Sequence, residues 1–523
     1  MTARSPKGVV AAGHPATARA AATLLEEGGN AFDAVLGALL TACVAEPVLA
    51  SLGGGGFLLA VNGNDTARLY DFFAHTPRNR RPASEIDFHP IIADFGTTTQ
   101  EFHIGLGSIA TPGVVRGIFA IHNDLGRMPL AAIAAPALAA ARDGIEINPL
   151  QSYIFDVVGA IYRATSDSVK VFGSPERPGE LIGEGELLRM PQFADFLEVL
   201  VREGERLFYE GEVARRIAAD CADGGGYLEL SDLEYYQVER REPLGLDYHE
   251  ARILTNPPPS SGGLLIAFAL KLLEHCRLGQ TSPGSHQHLS ALIHAMQLTN
   301  KARIDAELHR IQHQPQALKL LDHPFIESYR TQLLGRASCN RGTTHISVMD
   351  GEGGVASMTV SNGEGSSYLV PETGIMLNNM LGEEDLNPQG FHLWECNQRI
   401  ASMMAPTIVH KHGAWITACG SGGSNRIRTA ILQFLVNSID FGMDIEQAVH
   451  APRLHFEREL LNIEPGYERP VIKALKKEYP QQKNWDTLNL FFGGVHAVTH
   501  KLSDDTLDGV GDPRRGGIAI HVD

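Results

Sequence analysis

The run Gly342-Thr343-Thr344-His345-Ile346-Ser347-Val348 could be a place where the chain cuts itself. Breaking the Gly342–Thr343 bond would leave Thr343 with a free α-amino group beside its own hydroxyl. A hydroxyl alone is a weak nucleophile, and a neighbouring amine can take its proton. An α-amino group titrates at about 7.7–8.0 in model compounds, so a useful fraction is unprotonated at neutral pH. Nucleophile and base would then share one residue. The same string also alternates and is rich in β-branched side chains, the pattern of an ordinary strand. On this segment alone the strand reading is the stronger one.

A second candidate is Gly420-Ser421-Gly422-Gly423-Ser424-Asn425, which leads into an apolar helix. Glycines at a helix N-terminus present backbone N–H groups and the positive end of the helix dipole. Gly422 and Gly423 could therefore hold the oxyanion of a tetrahedral intermediate, although a tight strand-to-helix turn explains the same residues. The run Gly53-Gly54-Gly55-Gly56 looks at first like a phosphate cradle. No Lys-Ser/Thr comes after it and it enters a strand, so close backbone packing beside a site is the better reading.

The elements that must position these residues are legible in outline. Pro15 to Leu25 reads as a helix with proline in its first turn, stopped by Gly28-Gly29. Asn30 can cap a second helix, Ala31 to Ala45. Phe57 to Val61 reads as a strand, Leu130 to Ile147 as an alanine-rich helix, and Pro257 to Gly263 as a rigid turn opening a helix from Leu264 to Leu273. Thr281 to Arg341 is polar and helical, with Pro315 and Pro324 expected to break it. Thr344–Met349 and Val355–Val360 predict a hairpin, Thr407–Val409 and Ala414–Ala418 a second strand pair, and Arg426–Ser438 a helix.

The whole chain has 523 residues, 43% hydrophobic and 20% charged, with a formal net charge of −17. That balance argues against a nucleic-acid or anionic-membrane partner, both of which attract Lys/Arg excess. The apolar run Ala34 to Ala45 is too short to span a bilayer. Met1 to Ala12 has no apolar signal core, so a cytoplasmic protein is expected. Six scattered cysteines without a CxxC read as reduced thiols. His286/His288 and His410/His412 lack completing ligands, so no metal is expected.

Taken in order, the motifs are specific: His14-Pro15-Ala16-Thr17, Gly28-Gly29-Asn30-Ala31, the glycine run, Pro257–Gly263 and Gly342–Ser347. They continue with Glu372–Asn379, Met403–Val409, Gly420–Ser424, Asn437–Gly442 and Asp512–Gly517. From about His14 to Gly517 this order resembles the γ-glutamyltranspeptidase family of N-terminal-nucleophile hydrolases. The resemblance implies an αββα sandwich (α+β), two stacked sheets flanked by helices. It implies a precursor cut between Gly342 and Thr343 into residues 1–342 and 343–523, interleaved in one structural unit. Thr343 Oγ would attack an amide, its own amine would shuttle the proton, and Gly422 and Gly423 would stabilise the oxyanion. Ser361 and Asn362 match a polar pair that positions the nucleophile and amine. The acyl group would pass to water or to an amine acceptor, with no cofactor.

The acyl pocket departs from the family pattern. The arginine that holds the substrate α-carboxylate falls, within Asp71–Pro77, on Phe73. A Ser-Ser pair becomes Ser402-Met403, a glutamine becomes Met380, and the aspartate that binds the α-amino group maps to Gly382 or Glu383. Losing one partner of a buried charge pair costs about 2–5 kcal/mol, roughly 30-fold to several thousand-fold in affinity. Arg78, Arg80 or Arg81 could substitute, although a surface cluster is the simpler reading. Glutathione is therefore expected to be a poor substrate, and a less zwitterionic amide, such as a small oxo-acid amide or a β-lactam side chain, a better one. Leu386 to Gln398, with Phe391 and Trp394, is either a lid or a static loop. An inactive scaffold of the same fold is the alternative from outside the enzymes.

Overall fold

The computed structural model describes residues 6–63, 66–94, 99–307, 314–330, 343–387 and 389–523. Gly342, Cys339 and the rest of 331–342 lie outside the described residues, so the cleavage-site expectation is placed here only through Thr343.

Two antiparallel sheets form the centre. The first has seven strands, in the order Ile518–Val522, Gly8–Ala12, Thr344–Asp350, Gly354–Ser361, Gly55–Asn62, Arg68–Phe72 and Glu239–Arg241. The second has six, Thr506–Val510, Gly494–Lys501, Trp415–Gly422, Thr407–Lys411, Ala251–Thr255 and Leu244–Tyr248. Both sheets mix strands from before and after Thr343. The Thr344–Asp350 strand pairs with Gly8–Ala12 on one side, Val10 opposite Val348, and with Gly354–Ser361 on the other, Ile346 opposite Met358.

Period-two alternation sorts the side chains between two apolar layers. Val10, Ala12, Leu58, Ala60, Ile346 and Val348 join the core under the helices Pro15–Glu26 and Ala31–Ala45. Val9, Ala11, Phe57, Leu59 and Met349 join the core shared with the second sheet and the helices Gly262–Leu273 and Asn425–Ile439. The result is the stacked helix–sheet–sheet–helix arrangement expected from the motif order. Polar residues also bridge the sheets: Ser347 Oγ donates to His496 O (3.2 Å) and Ser357 Oγ to Cys419 O (2.9 Å).

The helix Ala31–Ala45 keeps the limits expected of it, because Asn30 and Asp33 form a capping box. All fifteen of its residues are buried, and each large apolar side chain there contributes about 1.5–3 kcal/mol. The alanine-rich helix is shorter than expected, Leu130–Asp143, with Gly144 at φ +98° ending it. The helical stretch is divided, and Pro315 and Pro324 each occupy the second position of a new short helix, Gln314–Leu318 and His323–Arg330. Proline's missing N–H costs nothing there. The glycine run packs closely, as expected: a side chain at Gly54 would overlap Ser361 O, and one at Gly55 would meet Ala74 N at 2.8 Å. Among the described residues no helix is long and apolar enough to cross a membrane.

Candidate active site

Thr343 immediately precedes the Thr344–Asp350 strand and is only 4% exposed. It lines two spaces. One is a cavity of about 440 Å³; the other is a void of about 10 Å³, close to the size of a single water. The residue is held from the small-void side. Arg515 Nη1 donates to Thr343 O (3.2 Å), and Thr344 Oγ1 donates to Glu46 Oε2 (2.8 Å). Glu46 Oε1 accepts from Thr17 Oγ1 (2.9 Å). Burial pushes the Glu46 carboxyl up, against the two hydroxyl donors and the attraction of Arg515. Burial also lowers Arg515 to about 10, which still leaves it charged at neutral pH.

His496 closes the same void. The Asp512 amide donates to its Nδ1 (3.2 Å), which leaves the ring proton on Nε2. Burial lowers this histidine to about 4, so it is neutral at pH 7. His345, close to Thr343 in sequence, is also buried and neutral, bonded to Thr359 Oγ1 (2.7 Å) and Ser347 Oγ (2.9 Å). Both serve the sheet interior.

The glycine turn lies beside Thr343. Gly422 ends the Trp415–Gly422 strand, and a Cβ there would overlap the Thr343 carbonyl oxygen. Gly423 has φ +115°, a conformation that only glycine adopts without strain. Ser424 comes next at φ +52°, a non-glycine residue in the left-handed region, before the helix Asn425–Ile439 begins. Strain of this kind costs about 1–3 kcal/mol and concentrates at functional sites. Ser424 Oγ donates to Asp385 Oδ2 (3.2 Å), which ties the turn to the loop after Asn378-Asn379. The positive end of a fifteen-residue helix therefore begins two residues after Gly423, next to the turn that packs on Thr343.

The large cavity collects most of the residues singled out from the sequence. Thr343, Phe73, Ser361, Glu383, Ser402 and Met403 all line it. Of the two positions considered for the acid, Glu383 lines the cavity, whereas Gly382 packs on His103 O. Ser361 Oγ accepts from Gly363 N (3.0 Å) and Ser402 Oγ from Met404 N (3.1 Å). Ser260 Oγ donates to Ser402 O (2.8 Å) and Met404 O (3.1 Å), so the Pro257–Gly263 turn supports this wall. Four residues do not line the large cavity: Gly422 lines the small void, Gly423 lines neither space, and Asn362 and Met380 are buried elsewhere. Asn362 is fully buried with its amide donating to Met376 O (3.4 Å), and Met380 is fully buried in the apolar core.

Position 73 is an aromatic pair, Phe73 stacked on Phe57 with centroids 5.4 Å apart. Arg399 lies beside its backbone, yet the guanidinium is engaged: it donates to Phe73 O, to Tyr236 Oη (2.7 Å) and to Gln237 O (2.7 Å), and pairs with Asp71 (3.4 Å). Of the basic cluster, Arg78 stacks on Tyr235, Arg80 on Trp394, and Arg81 donates to Cys221 O and Gly226 O. None of the three lines the cavity. The Leu386–Gln398 segment forms part of its wall and is pinned in place. Phe391 packs on His103 (4.3 Å) and Phe88 (5.2 Å), Tyr227 Oη meets His392 Nδ1 (2.6 Å), and Thr76 Oγ1 donates to Glu395 O (2.6 Å). Pro388 lies outside the described residues.

Sequence reasoning missed Arg303, Asp385, Glu46 and Arg515. Arg515 sits in the Asp512–Gly517 motif, which gave a signal without a role; the other three gave none. Among the described residues no group of His, Cys, Asp or Glu is placed to hold a metal ion.

The Gamma-glutamyltranspeptidase family profile matches residues 17–522. The chain is 27% identical to the glutathione hydrolase proenzyme of Bacillus subtilis (strain 168), over 98% of this chain and 91% of that one. It is 28% identical to the acylase ACY 1 proenzyme of Pseudomonas sp. (strain SE83), over 99% and 94%. Its fold matches a cephalosporin acylase from Bacillus halodurans with a TM-score of 0.84 at 23% identity, covering 99% of this chain and 96% of that one.

Proposed function

Because this chain belongs to the γ-glutamyltranspeptidase family, we propose that it is an autoprocessing amidohydrolase and acyltransferase whose nucleophile is Thr343. The observation that carries this reading is a convergence. A buried threonine at a strand start, a glycine turn at a helix N-terminus and a cavity large enough for a small-molecule amide meet at one residue.

In this reading the chain cuts itself before Thr343. Residues 1–342 and 343–523 remain interleaved, as the mixed sheets allow. Thr343 Oγ then attacks the substrate carbonyl carbon and its α-amine accepts the hydroxyl proton. Gly422 and Gly423 face the negative oxygen, where one lost donor costs about 3–4 kcal/mol of transition-state stabilisation. The protonated amine delivers its proton to the leaving nitrogen, the C–N bond breaks, and a threonyl ester remains. Water or an amine then takes the acyl group by the reverse sequence. Arg515 and Glu46 hold Thr343 and Thr344 in place throughout. Among the described residues five cysteines have no disulfide partner, which suits a reducing cytoplasm, a location that cell fractionation tests.

Denaturing electrophoresis tests the core of this reading. Two bands near two-thirds and one-third of the full mass are expected, with Thr343 at a new amino terminus by sequencing. Thr343→Ala should give one band. A wild-type chain that stays intact through long incubation overturns the reading and leaves the scaffold alternative.

The substrate reading is narrower. Phe73 and Met403 replace polar groups that would grip a zwitterionic γ-glutamyl group, while Glu383 keeps an acid in the wall. A less zwitterionic amide is the preferred substrate. Family-typical kcat/KM on a γ-glutamyl anilide would refute this part alone.

A further inference from the structure

The cavity beside Thr343 is lined by two arginines, Arg303 and Arg399. Arg399 is fully engaged with Asp71, Tyr236 and backbone carbonyls of its own wall. Arg303 is different. It sits in the last turn of the helix His286–Asp305 and is half-buried. Its Nε is buried without a hydrogen-bond partner, as is that of Arg399, but Arg399 pairs with Asp71 whereas Arg303 forms no ion pair among the described residues. It also lies close enough to Arg428 to add to the burial that lowers that side chain, a smaller effect than the opposing one of Glu457, which Asp385 joins. The cavity wall also carries Glu307, Glu383, Asp385 and Glu395, and an anion placed at Arg303 would supply the missing hydrogen bond. Ile304 and Ile427 line the cavity as well, next to Arg303 in sequence and at the start of the neighbouring helix, so an apolar stem can approach the charge.

We propose that Arg303 is a substrate-binding residue that receives a carboxylate carried by the acyl group, in place of the cation missing at Phe73. This rests on the acyl-transfer reading of the site. The guanidinium presents a planar fork suited to a two-point grip on a carboxylate. Its origin differs from the family pattern: the charge comes from a helix end rather than from the segment after the Arg68–Phe72 strand. An acyl chain gripped there reaches Thr343 along a different line from one anchored at position 73. The pocket would thus keep a preference for an anionic acyl group while losing the fit to a γ-glutamyl one.

The test uses processed full-length enzyme and a matched pair of anilides. One has an acyl chain ending in a carboxylate; in the other that carboxylate is a primary amide. Wild type should favour the carboxylate, and Arg303→Gln should reduce this preference about 30-fold or more, chiefly through KM, since one partner of a charge pair is lost. Arg303→Lys should recover part of it. Arg303→Gln should still give two bands on a denaturing gel. If both anilides change equally in Arg303→Gln, or neither changes, the assignment of Arg303 is overturned while the acyl-transfer reading stands. If wild-type protein never processes, that reading fails first and takes this proposal with it.

Discussion

Around the cavity, the part that carries Thr343 is built from backbone and the part that would hold the acyl group is built from side chains. Thr343 immediately precedes a strand whose Thr344 lies opposite Val360, Gly422 lies opposite Gly494, and Gly423 adopts a φ that glycine alone accepts. Phe73, Met403, Arg303 and Trp394 come from four separate segments, each free to change without moving a strand. Chemistry tied to ladder register tolerates few substitutions, because a one-residue slip reverses every side chain. Specificity tied to isolated side chains is altered by single replacements, and that is where the sequence reading places the departures from the family pattern.

Substitutions on the two sides should therefore differ in size. Thr343→Ala should abolish both chain cleavage and amide hydrolysis, a loss of about 10⁴-fold or more, read by gel and by initial rates. Residual turnover within tenfold of wild type would remove the backbone side of the comparison altogether. Gly422→Ala comes next. Its methyl group would overlap Thr343 O, so kcat should fall about 10²–10³-fold with the fold retained by circular dichroism. Phe73→Arg probes the other side and should raise kcat/KM on a γ-glutamyl anilide by about tenfold, with a lower Tm because the Phe57 stack is lost. No gain would mean that position 73 is not what sets this wall apart.

Smaller effects sharpen the boundary between the two. Deleting Phe391–Cys396 removes the packing on Phe88, His103 and Tyr227, and should shift the hydrolysis-to-transfer ratio about two- to fivefold. An unchanged ratio would make the segment a fixed wall with no gating role. The last test concerns the backbone side alone. His496 is held neutral, with its pKa lowered from 6.5 to about 4. As pH falls through 6.5 the unfolded chain gains a proton that the folded chain refuses, so stability declines until about pH 4 and then levels off. His496→Gln should reduce that slope by about one proton in denaturant titrations between pH 7 and 4; an unchanged slope would show that His496 is not held neutral.

Much of the frame was legible because local signals and packing agree. The helix Ala31–Ala45 has its cap and its apolar face in one segment, and the hairpin 344–361 alternates with glycines at its turn. Pro315 and Pro324 mark where short helices begin, because the same residue that ends one helix can open another. Met380 matches a family position by residue type, whereas burial in the apolar core keeps it out of the cavity lining. Arg303 gave no signal at all. It reaches the cavity from a helix separated from Thr343 by forty residues of sequence, and only tertiary packing joins them.

The mixed strand order governs how the molecule would persist after a cut before Thr343. Thr344–Asp350 and Gly354–Ser361 lie between Gly8–Ala12 and Gly55–Asn62, so each severed piece supplies neighbours that the other needs. Once covalent continuity is gone, unfolding releases two molecules, and recovery becomes a second-order encounter that dilution slows. Such a protein would be assembled once and thereafter kept by the height of its unfolding barrier rather than by easy return.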